Sequence, residues 1–191
     1  MPPVTRNLLI ANFAIFLAEL VVGDAAIQPF ALWPLGAGFA PWQLVSYAFL
    51  HAGVAHILFN MLGLYSFGSD IERVWGPRRF LIYYFTCAVA AGATQLVFSA
   101  VTGTEYPTVG ASGAVFGLLL AYALRFPQRR LMLLFPPIPM RAPVFAVVYG
   151  VIELVLGVTG TQEGVAHFAH LGGMAGGFLV LWYWSRRRVR W

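Results

Sequence analysis

A serine and a histidine stand in two separate apolar segments of this 191-residue chain. Ser112 lies in Gly-Ala-Ser-Gly, which begins at Gly110, and His170 lies in Ala-His-Leu-Gly-Gly, which begins at Ala169. Polar and ionisable side chains are costly inside hydrocarbon, so such residues are functional candidates by default. A serine hydroxyl becomes a good nucleophile when a neighbouring base accepts its proton. The pair therefore predicts acyl transfer, with Ser112 as the nucleophile and His170 as the base.

Membrane-spanning helices are the elements that must position this pair. The sequence is 60% hydrophobic and 10% charged, with a mean hydropathy of +0.75, which leaves too little polar surface for a soluble domain. Apolar runs recur near the ~20 residues that a spanning helix needs. We therefore predict an all-α, polytopic bundle that forms a single domain over residues 1–191. Its predicted spans are roughly 7–23, 52–69, 79–101, 110–126, 140–159 and 165–185.

The basic residues predict how this bundle is oriented. All of them are arginines, and they lie before the first span, after the last, and in the connections between spans two and three and between four and five. The other connections, around 24–51, 102–109 and 160–164, carry none. The positive-inside rule then places both termini in the cytoplasm. Because this placement explains the net charge of +5, we expect no nucleic-acid partner. The lone cysteine, Cys87, excludes an internal disulfide.

Polar residues from three spans share one predicted depth. Spans two, four and six all begin at the outer face, which places Ser112 and His170 in the outer half of the bilayer. In span two, His56 and Asn60 are four residues apart and therefore lie on one face of the helix. Three segments that deliver polar groups to the same depth predict a single site.

The predicted chemistry also needs donors for the oxyanion of a tetrahedral intermediate. The backbone N–H of Ser112 lies in the first turn of a helix, where N–H groups have no intrahelical partner. His56 and Asn60 could add side-chain donors. No acidic residue stands at a helical spacing from His170, and Glu163 falls in an outer loop. The sequence thus predicts a serine–histidine dyad without an orienting carboxylate, and no cofactor or metal.

The same segments also have a purely structural interpretation. Gly113 with Gly117, and Gly173 with Gly177, form small-xxx-small patterns that are typical of close helix contacts. An isolated intramembrane histidine could equally bond a backbone carbonyl. The two interpretations are compatible, because glycines that bring spans four and six together would let a serine hydroxyl reach an imidazole.

These motifs resemble those of the rhomboid family of intramembrane serine proteases over nearly the whole chain. The resemblance implies a six-span core and hydrolysis of peptide bonds in transmembrane substrates by Ser112 and His170, with His56 and Asn60 assisting the oxyanion. The matching elements are the GxSG serine (Ser112), the AHxxGxxxG pattern (Ala169, His170, Gly173, Gly177), the HxxxxHxxxN signature (His51, His56, Asn60), and Glu72 with Gly76 at the end of span two.

Two positions depart from the family's pattern. Many members carry Trp-Arg in the first outer loop, where this chain has Trp42-Gln43, and the change bears on the stability of that loop. Some members place a tyrosine against the histidine, where this chain has Phe116, whose ring can pack on an imidazole but offers no hydroxyl. Gly110, Phe116 and His167 are candidates to line the site's cavity.

Two acids within predicted spans and one further histidine receive structural interpretations. For Glu19 and Glu153 the default is structural hydrogen bonding or protonation, and we expect His51 to brace the first outer loop. For Glu153, one turn after Tyr149, the hypothesis is that it helps to seat span five near the side by which substrate arrives.

The sequence therefore predicts an intramembrane serine endopeptidase in a bacterial inner membrane, acting on transmembrane segments of membrane-anchored proteins. Its expected partners are those substrates and the lipid bilayer. Two alternatives stay open: a rhomboid-like binder that does not cleave, and a metal-dependent hydrolase or metal carrier that uses His56, His167 and His170. The absence of an HExxH motif is unfavourable to the second, which chelator sensitivity would support. The natural substrate, the cleavage site, regulation and the oligomeric state are open.

Overall fold

The computed structural model describes residues 1–133, 136–160 and 165–187. Most of the described chain is helical, which confirms the predicted class in its coarse form. Single 3₁₀ turns at Gln28–Phe30 and Tyr47–Phe49 and a π-helical turn at Leu64–Gly68 join or continue helices. The helices are α1 (Pro3–Val22), α2 (Asp24–Ile27), α3 (Gln43–Ser46), α4 (Val54–Gly63), α5 (Ser69–Trp75), α6 (Pro77–Thr102), α7 (Ser112–Arg125), α8 (Ala142–Thr159) and α9 (His167–Arg186).

A short hairpin interrupts the helical chain between α7 and α8. Strands β1 (Arg130–Met132) and β2 (Pro139–Arg141) pair antiparallel, with Leu131 opposite Met140. The prediction of an all-α fold did not include this hairpin. The prolines at 136, 137 and 139 exclude a helix here, and they leave the extended backbone that β2 uses.

Several helices are apolar enough to cross a bilayer. By length and hydropathy these are α1, α6 and α8, and a fourth candidate is Gln43–Phe49 together with Val54–Trp75, whose two parts meet at 101°. Helix α7 is apolar but has only 14 residues. The histidines and glycines of α9 lower its hydropathy, although it has 20 residues. These apolar helices are those of an integral membrane protein.

Glycines let α7 and α9 approach each other at backbone distance. A methyl group at Gly173 would overlap the carbonyl oxygen of Gly113, and one at Gly117 would lie 3.2 Å from the carbonyl oxygen of Gly173. Such close approach through small residues is the usual way in which membrane helices pack. The N-terminal halves of α7 and α9, which carry Ser112 and His170, are therefore held close together by backbone contact.

Helix α6 supplies the aromatic centre of the bundle. The Tyr83 hydroxyl, fully buried, donates to the carbonyl of Gly117 in α7 at 2.8 Å. The hydroxyl of Tyr47 donates to the carbonyl of Ala88 at 2.7 Å. Tyr47 is buried, whereas Trp42, five residues earlier, is 59% exposed. A bonded hydroxyl lets a tyrosine enter an apolar core without leaving a polar group unpaired.

Glu72 fastens the beginning of α1 to the end of α5. Its carboxylate accepts the backbone N–H groups of Val4 and Thr5, at 2.9 and 2.7 Å, and the Thr5 hydroxyl at 2.7 Å. These N–H groups belong to the first turn of a helix, where an anionic acceptor is stabilising. Gly76 then ends α5 with a φ of +77°, a backbone conformation that favours glycine. Glu72 and Gly76, the two residues that match the family's pattern at this point, thus stabilise the fold: Glu72 joins α1 to α5, and Gly76 ends α5.

Gln43 holds the loop that precedes it, at the position where many members of the family it resembles carry an arginine. Its amide oxygen accepts the N–H groups of Trp33 and Ala40, at 3.1 and 3.2 Å. Its amide nitrogen donates to the carbonyls of Pro29 and Gly38, also at 3.1 and 3.2 Å. The side chain is buried, and four hydrogen bonds satisfy both ends of the amide. The departure from Trp-Arg therefore leaves a well-connected loop.

Candidate active site

Ser112 is presented by a backbone turn that only glycine adopts readily. Gly110 has a φ of +128°, and its N–H donates to the carbonyl of Tyr47 at 2.9 Å. Helix α7 begins two residues later, at Ser112 itself. The N–H of Ser112 therefore lies in the first turn and has no acceptor within its own helix. The turn places a hydroxyl and a backbone donor side by side.

Ser112 and His170 are in hydrogen-bonding contact. Ser112 Oγ lies 2.7 Å from His170 Nε2. The imidazole sits in the first turn of α9 and is buried. Phe116, one turn after Ser112, stacks on it with ring centroids 4.5 Å apart and planes 5° from parallel. The phenyl ring thus packs on the imidazole, although it offers no hydroxyl.

A carboxylate lies at the other nitrogen of His170. Glu153 Oε2 is 2.8 Å from His170 Nδ1 and 2.6 Å from His167 Nδ1. The expectation that nothing acidic orients His170 is therefore wrong for this structure. The physical reason is that Glu153 comes from α8, a different helix packed against α7 and α9, so spacing along α9 could not reveal it. The available signal was an acidic residue in α8, the most apolar of the candidate spanning helices among the described residues.

This carboxylate sets the tautomer of His170. A carboxylate only accepts hydrogen bonds, so His170 Nδ1 must carry the proton in this contact. In a neutral imidazole the other nitrogen is then an acceptor. Nε2 consequently presents a lone pair to the Ser112 hydroxyl, which is the arrangement that a general base requires.

His56 and Asn60 lie one turn apart on α4, whose His56 faces the turn that presents Ser112. His56 Nδ1 accepts the N–H of Ala52 at 3.3 Å, which places the ring proton of the neutral imidazole on Nε2. That nitrogen would lie 2.7 Å from a methyl group at Gly110, so it faces the turn that presents Ser112. Asn60 is buried, and its amide nitrogen has no hydrogen-bond acceptor among the described residues. Both side chains offer donors.

The remaining sequence candidates lie around this group. The N–H of His51 is 3.4 Å from both carboxylate oxygens of Glu19, and its ring meets His56 edge-on at 5.1 Å. His167, a candidate for the cavity wall, is buried against Glu153. A cavity of about 350 Å³ adjoins Glu19 and His51 but is not lined by Ser112 or His170. Glu163, which the sequence assigns to an outer loop, lies outside the described residues.

One group of side chains within the described ranges could hold a metal ion. It comprises Glu153, His167 and His170, whose ligand atoms lie within 4.8 Å of one another. The metal alternative based on the sequence joined His56 to His167 and His170, but His56 is not part of this group. The third ligand is instead the carboxylate of Glu153, which α8 brings to both histidines of α9.

Comparison with known proteins places this chain in a family. The Rhomboid domain matches residues 39–187. Rhomboid protease GluP of Bacillus subtilis is 34% identical over 139 residues, which cover 73% of this chain and 25% of that protein. Rhomboid protease GlpG of Yersinia pestis is 30% identical over 193 aligned residues, which cover 98% of this chain and 65% of that protein. The match includes the segments that carry Ser112, His170, His56 and Asn60, and it confirms the resemblance drawn from their motifs: the chain belongs to the rhomboid family.

Proposed function

We propose that this protein is an intramembrane serine endopeptidase that cleaves transmembrane segments of membrane-anchored proteins. The chain spans less than two thirds of the length of the relatives named above. The protease activity in their names therefore supports the proposal but does not by itself assign the activity to this chain. The observation that carries the proposal is the hydrogen bond between Ser112 Oγ and His170 Nε2, with Glu153 on the other side of the ring.

In the proposed reaction Ser112 attacks the carbonyl carbon of the scissile peptide bond. Its Oγ forms the new C–O bond while His170 Nε2 takes the hydroxyl proton, and the carbonyl electrons move onto the oxygen. The C–N bond then breaks as His170 returns that proton to the leaving amine. Water, deprotonated by the same nitrogen, hydrolyses the acyl-enzyme and restores Ser112.

The oxyanion in this mechanism is held by three donors. They are the backbone N–H of Ser112, Nε2–H of His56 and the amide of Asn60. Loss of one such donor typically costs about 10²–10³ in kcat. Glu153 acts as a positioning residue, since it keeps the proton of His170 on Nδ1. The proposal thus replaces the predicted dyad by a serine–histidine pair oriented by a carboxylate from α8.

We further propose a single domain of six spans with both termini in the cytoplasm, in a bacterial inner membrane. The support is the placement of the arginines and the helices that lie along all six predicted apolar runs. Helix α7 has 14 residues, which extend about 21 Å at 1.5 Å per residue, against about 30 Å of hydrocarbon. If α7 ends at the cytoplasmic face, it begins below the outer surface, and Ser112 is inside the membrane.

The first test is cleavage of a reporter whose transmembrane helix contains glycine and alanine. The protease and reporter are reconstituted together, with wild type compared with Ser112→Ala. Ser69→Ala is a matched control, because it removes the hydroxyl of a buried serine on another helix, and that hydroxyl has no partner among the described residues. We expect loss of cleavage in Ser112→Ala alone. Cleavage that persists in Ser112→Ala would refute the assigned nucleophile.

A second test covers the case in which no reporter is cleaved. A fluorophosphonate should label wild type at Ser112 and should fail to label Ser112→Ala and His170→Ala. Labelling without cleavage would mean that the reporter is unsuitable. Absence of labelling would favour the alternative of a binder that captures membrane helices without cutting them.

The role of Glu153 is tested by Glu153→Gln. A charge-assisted hydrogen bond contributes about 1.5–3 kcal/mol, so we expect kcat to fall by about 10- to 150-fold with little change in KM. A role confined to seating α8 for substrate access would change KM instead. Cleavage equal to that of wild type would refute both roles.

A further inference from the structure

Glu153, His167 and His170 offer three metal ligands at one point of the bundle. The three side chains are 8%, 5% and 7% exposed, respectively. His167 and His170 are three residues apart and project from the same face of α9, while Glu153 reaches them from α8 at 2.6 and 2.8 Å. A carboxylate and two imidazoles from two packed helices are the donor types that zinc prefers.

The size and charge of the group also suit zinc. Zinc binds with three protein ligands and one water in open tetrahedral sites, at about 2.0–2.2 Å from nitrogen and oxygen. At those bond lengths tetrahedral ligands lie roughly 3.3 Å apart. The ligand atoms of Glu153, His167 and His170 all lie within 4.8 Å of one another, and the shortest distance, between Glu153 Oε2 and His167 Nδ1, is 2.6 Å. Rotation of the three side chains is therefore enough to reach that spacing. The single carboxylate partly offsets the charge of the ion.

We propose that Glu153, His167 and His170 bind Zn²⁺ and that the bound ion switches off Ser112. The metal must take the lone pair of His170 Nδ1, because that is the nitrogen that faces Glu153. The remaining proton of the neutral imidazole then resides on Nε2. Nε2 becomes a donor toward Ser112 Oγ and has no lone pair with which to accept the hydroxyl proton.

An inhibitory zinc ion and the catalytic zinc ion of a metal-dependent hydrolase predict opposite responses to chelators. A catalytic zinc would make activity sensitive to chelators, whereas an inhibitory zinc makes chelators raise activity or leave it unchanged. The inhibitory effect rests on the proposed function, but the binding of the ion does not. The two are therefore measured separately.

Binding is tested in the Ser112→Ala background, which keeps all three ligands. The purified protein in detergent competes with a fluorescent chelator for Zn²⁺. We expect one ion per chain. Adding His167→Gln should weaken binding at least about tenfold, since even the loss of a hydrogen-bond partner of a ligand costs 10- to 100-fold. Glu19→Gln is the matched control, an intramembrane glutamate outside the group, and should leave the affinity unchanged. Absence of binding, or equal binding by His167→Gln, would overturn the site.

The effect on Ser112 is tested by the rate of fluorophosphonate labelling. Zn²⁺ should slow labelling of wild type at least about tenfold, and a chelator should restore it. The His167→Gln variant, compared with its own zinc-free rate, should need a correspondingly higher Zn²⁺ concentration. Zinc that binds without slowing the labelling would overturn the switch. A chain that is never labelled would instead refute the proposed function, while the competition titration would still decide the metal site.

Discussion

Replacing Gly173 by alanine should separate the two helices that carry the serine and the histidine. A methyl group at this position would overlap the carbonyl oxygen of Gly113 in α7. That oxygen belongs to the backbone, so no rotation of a side chain can relieve the overlap. Helices α7 and α9 would have to move apart by roughly an ångström to restore ordinary van der Waals contact.

The expected size of the effect follows from this displacement. Overpacking typically costs about 1–3 kcal/mol, and the rigid neighbour places Gly173→Ala at the upper end. At about 2–4 °C per kcal/mol for a chain of this length, the melting temperature should fall by about 6–12 °C. Because Gly113 follows Ser112 directly and His170 lies one turn before Gly173, the Ser112–His170 contact of 2.7 Å should also open. A misplacement of 1 Å can cost about 10²-fold in rate.

The chain contains its own reporter of unfolding. Cys87 is the sole cysteine in the sequence and is buried in α6, so a thiol-reactive dye labels it when the bundle opens. Melting curves read from this labelling, together with kcat/KM on the reporter, measure both effects. Gly150→Ala is the matched control, because a methyl group at Gly150 would meet only Met174, at an ordinary 3.9 Å.

The two variants should diverge clearly. Gly150→Ala should melt at or slightly above the wild-type temperature, since alanine is favoured over glycine in helices by up to about 1 kcal/mol. If Gly173→Ala melts with Gly150→Ala, the backbone contact between α7 and α9 does not limit their approach. If it melts low but cleaves at the wild-type rate, the contact does not govern the Ser112–His170 distance.

Three other predictions use the same melting assay. Gln43→Ala removes four hydrogen bonds of about 1 kcal/mol each and should lower the melting temperature by about 10 °C, whereas Gln28→Ala, an exposed glutamine of the same loop region, should not. Glu72→Gln weakens the anionic cap of α1 and should cost about 1–2 kcal/mol, visible as a lower melting temperature and earlier proteolysis near the N-terminus. Burial lowers the pKa of His51 to about 4, so the unfolded chain, with a histidine pKa near 6.5, binds the proton that the folded chain excludes. Stability should therefore be fully present above pH 6.5 and decline toward pH 4, by up to about 3 kcal/mol, and the decline should be shallower in His51→Gln.

The positions of the helices could be predicted from the sequence because they depend on local patterns. Hydropathy over about 20 residues decides which segments can enter a bilayer, and small residues four apart mark faces that pack closely. The predicted runs 110–126 and 165–185 accordingly lie along α7 and α9. The hairpin between β1 and β2 escaped this reasoning, since three-residue strands leave no periodicity to detect.

The residues that can do chemistry were also visible in the sequence. Ser112, His170, His56 and Asn60 stand out because polar side chains in apolar segments need a reason to be there. The expectation that they gather at one point used only helix direction and depth. The structure brings Ser112 and His170 into contact, but their catalytic roles are still proposals.

The partners of these residues were decided by tertiary structure alone. Which side chain faces which depends on how each helix is rotated about its axis, and no spacing within one helix records the rotation of its neighbour. Glu153 meets His170 only because α8 turns that face toward α9, and the buried amide of Gln43 is satisfied only because four backbone groups converge on it. The proposed nucleophile and its proposed base could thus be named from the sequence, whereas the carboxylate that contacts His170, and with it the proposed zinc site, emerged from contacts between helices.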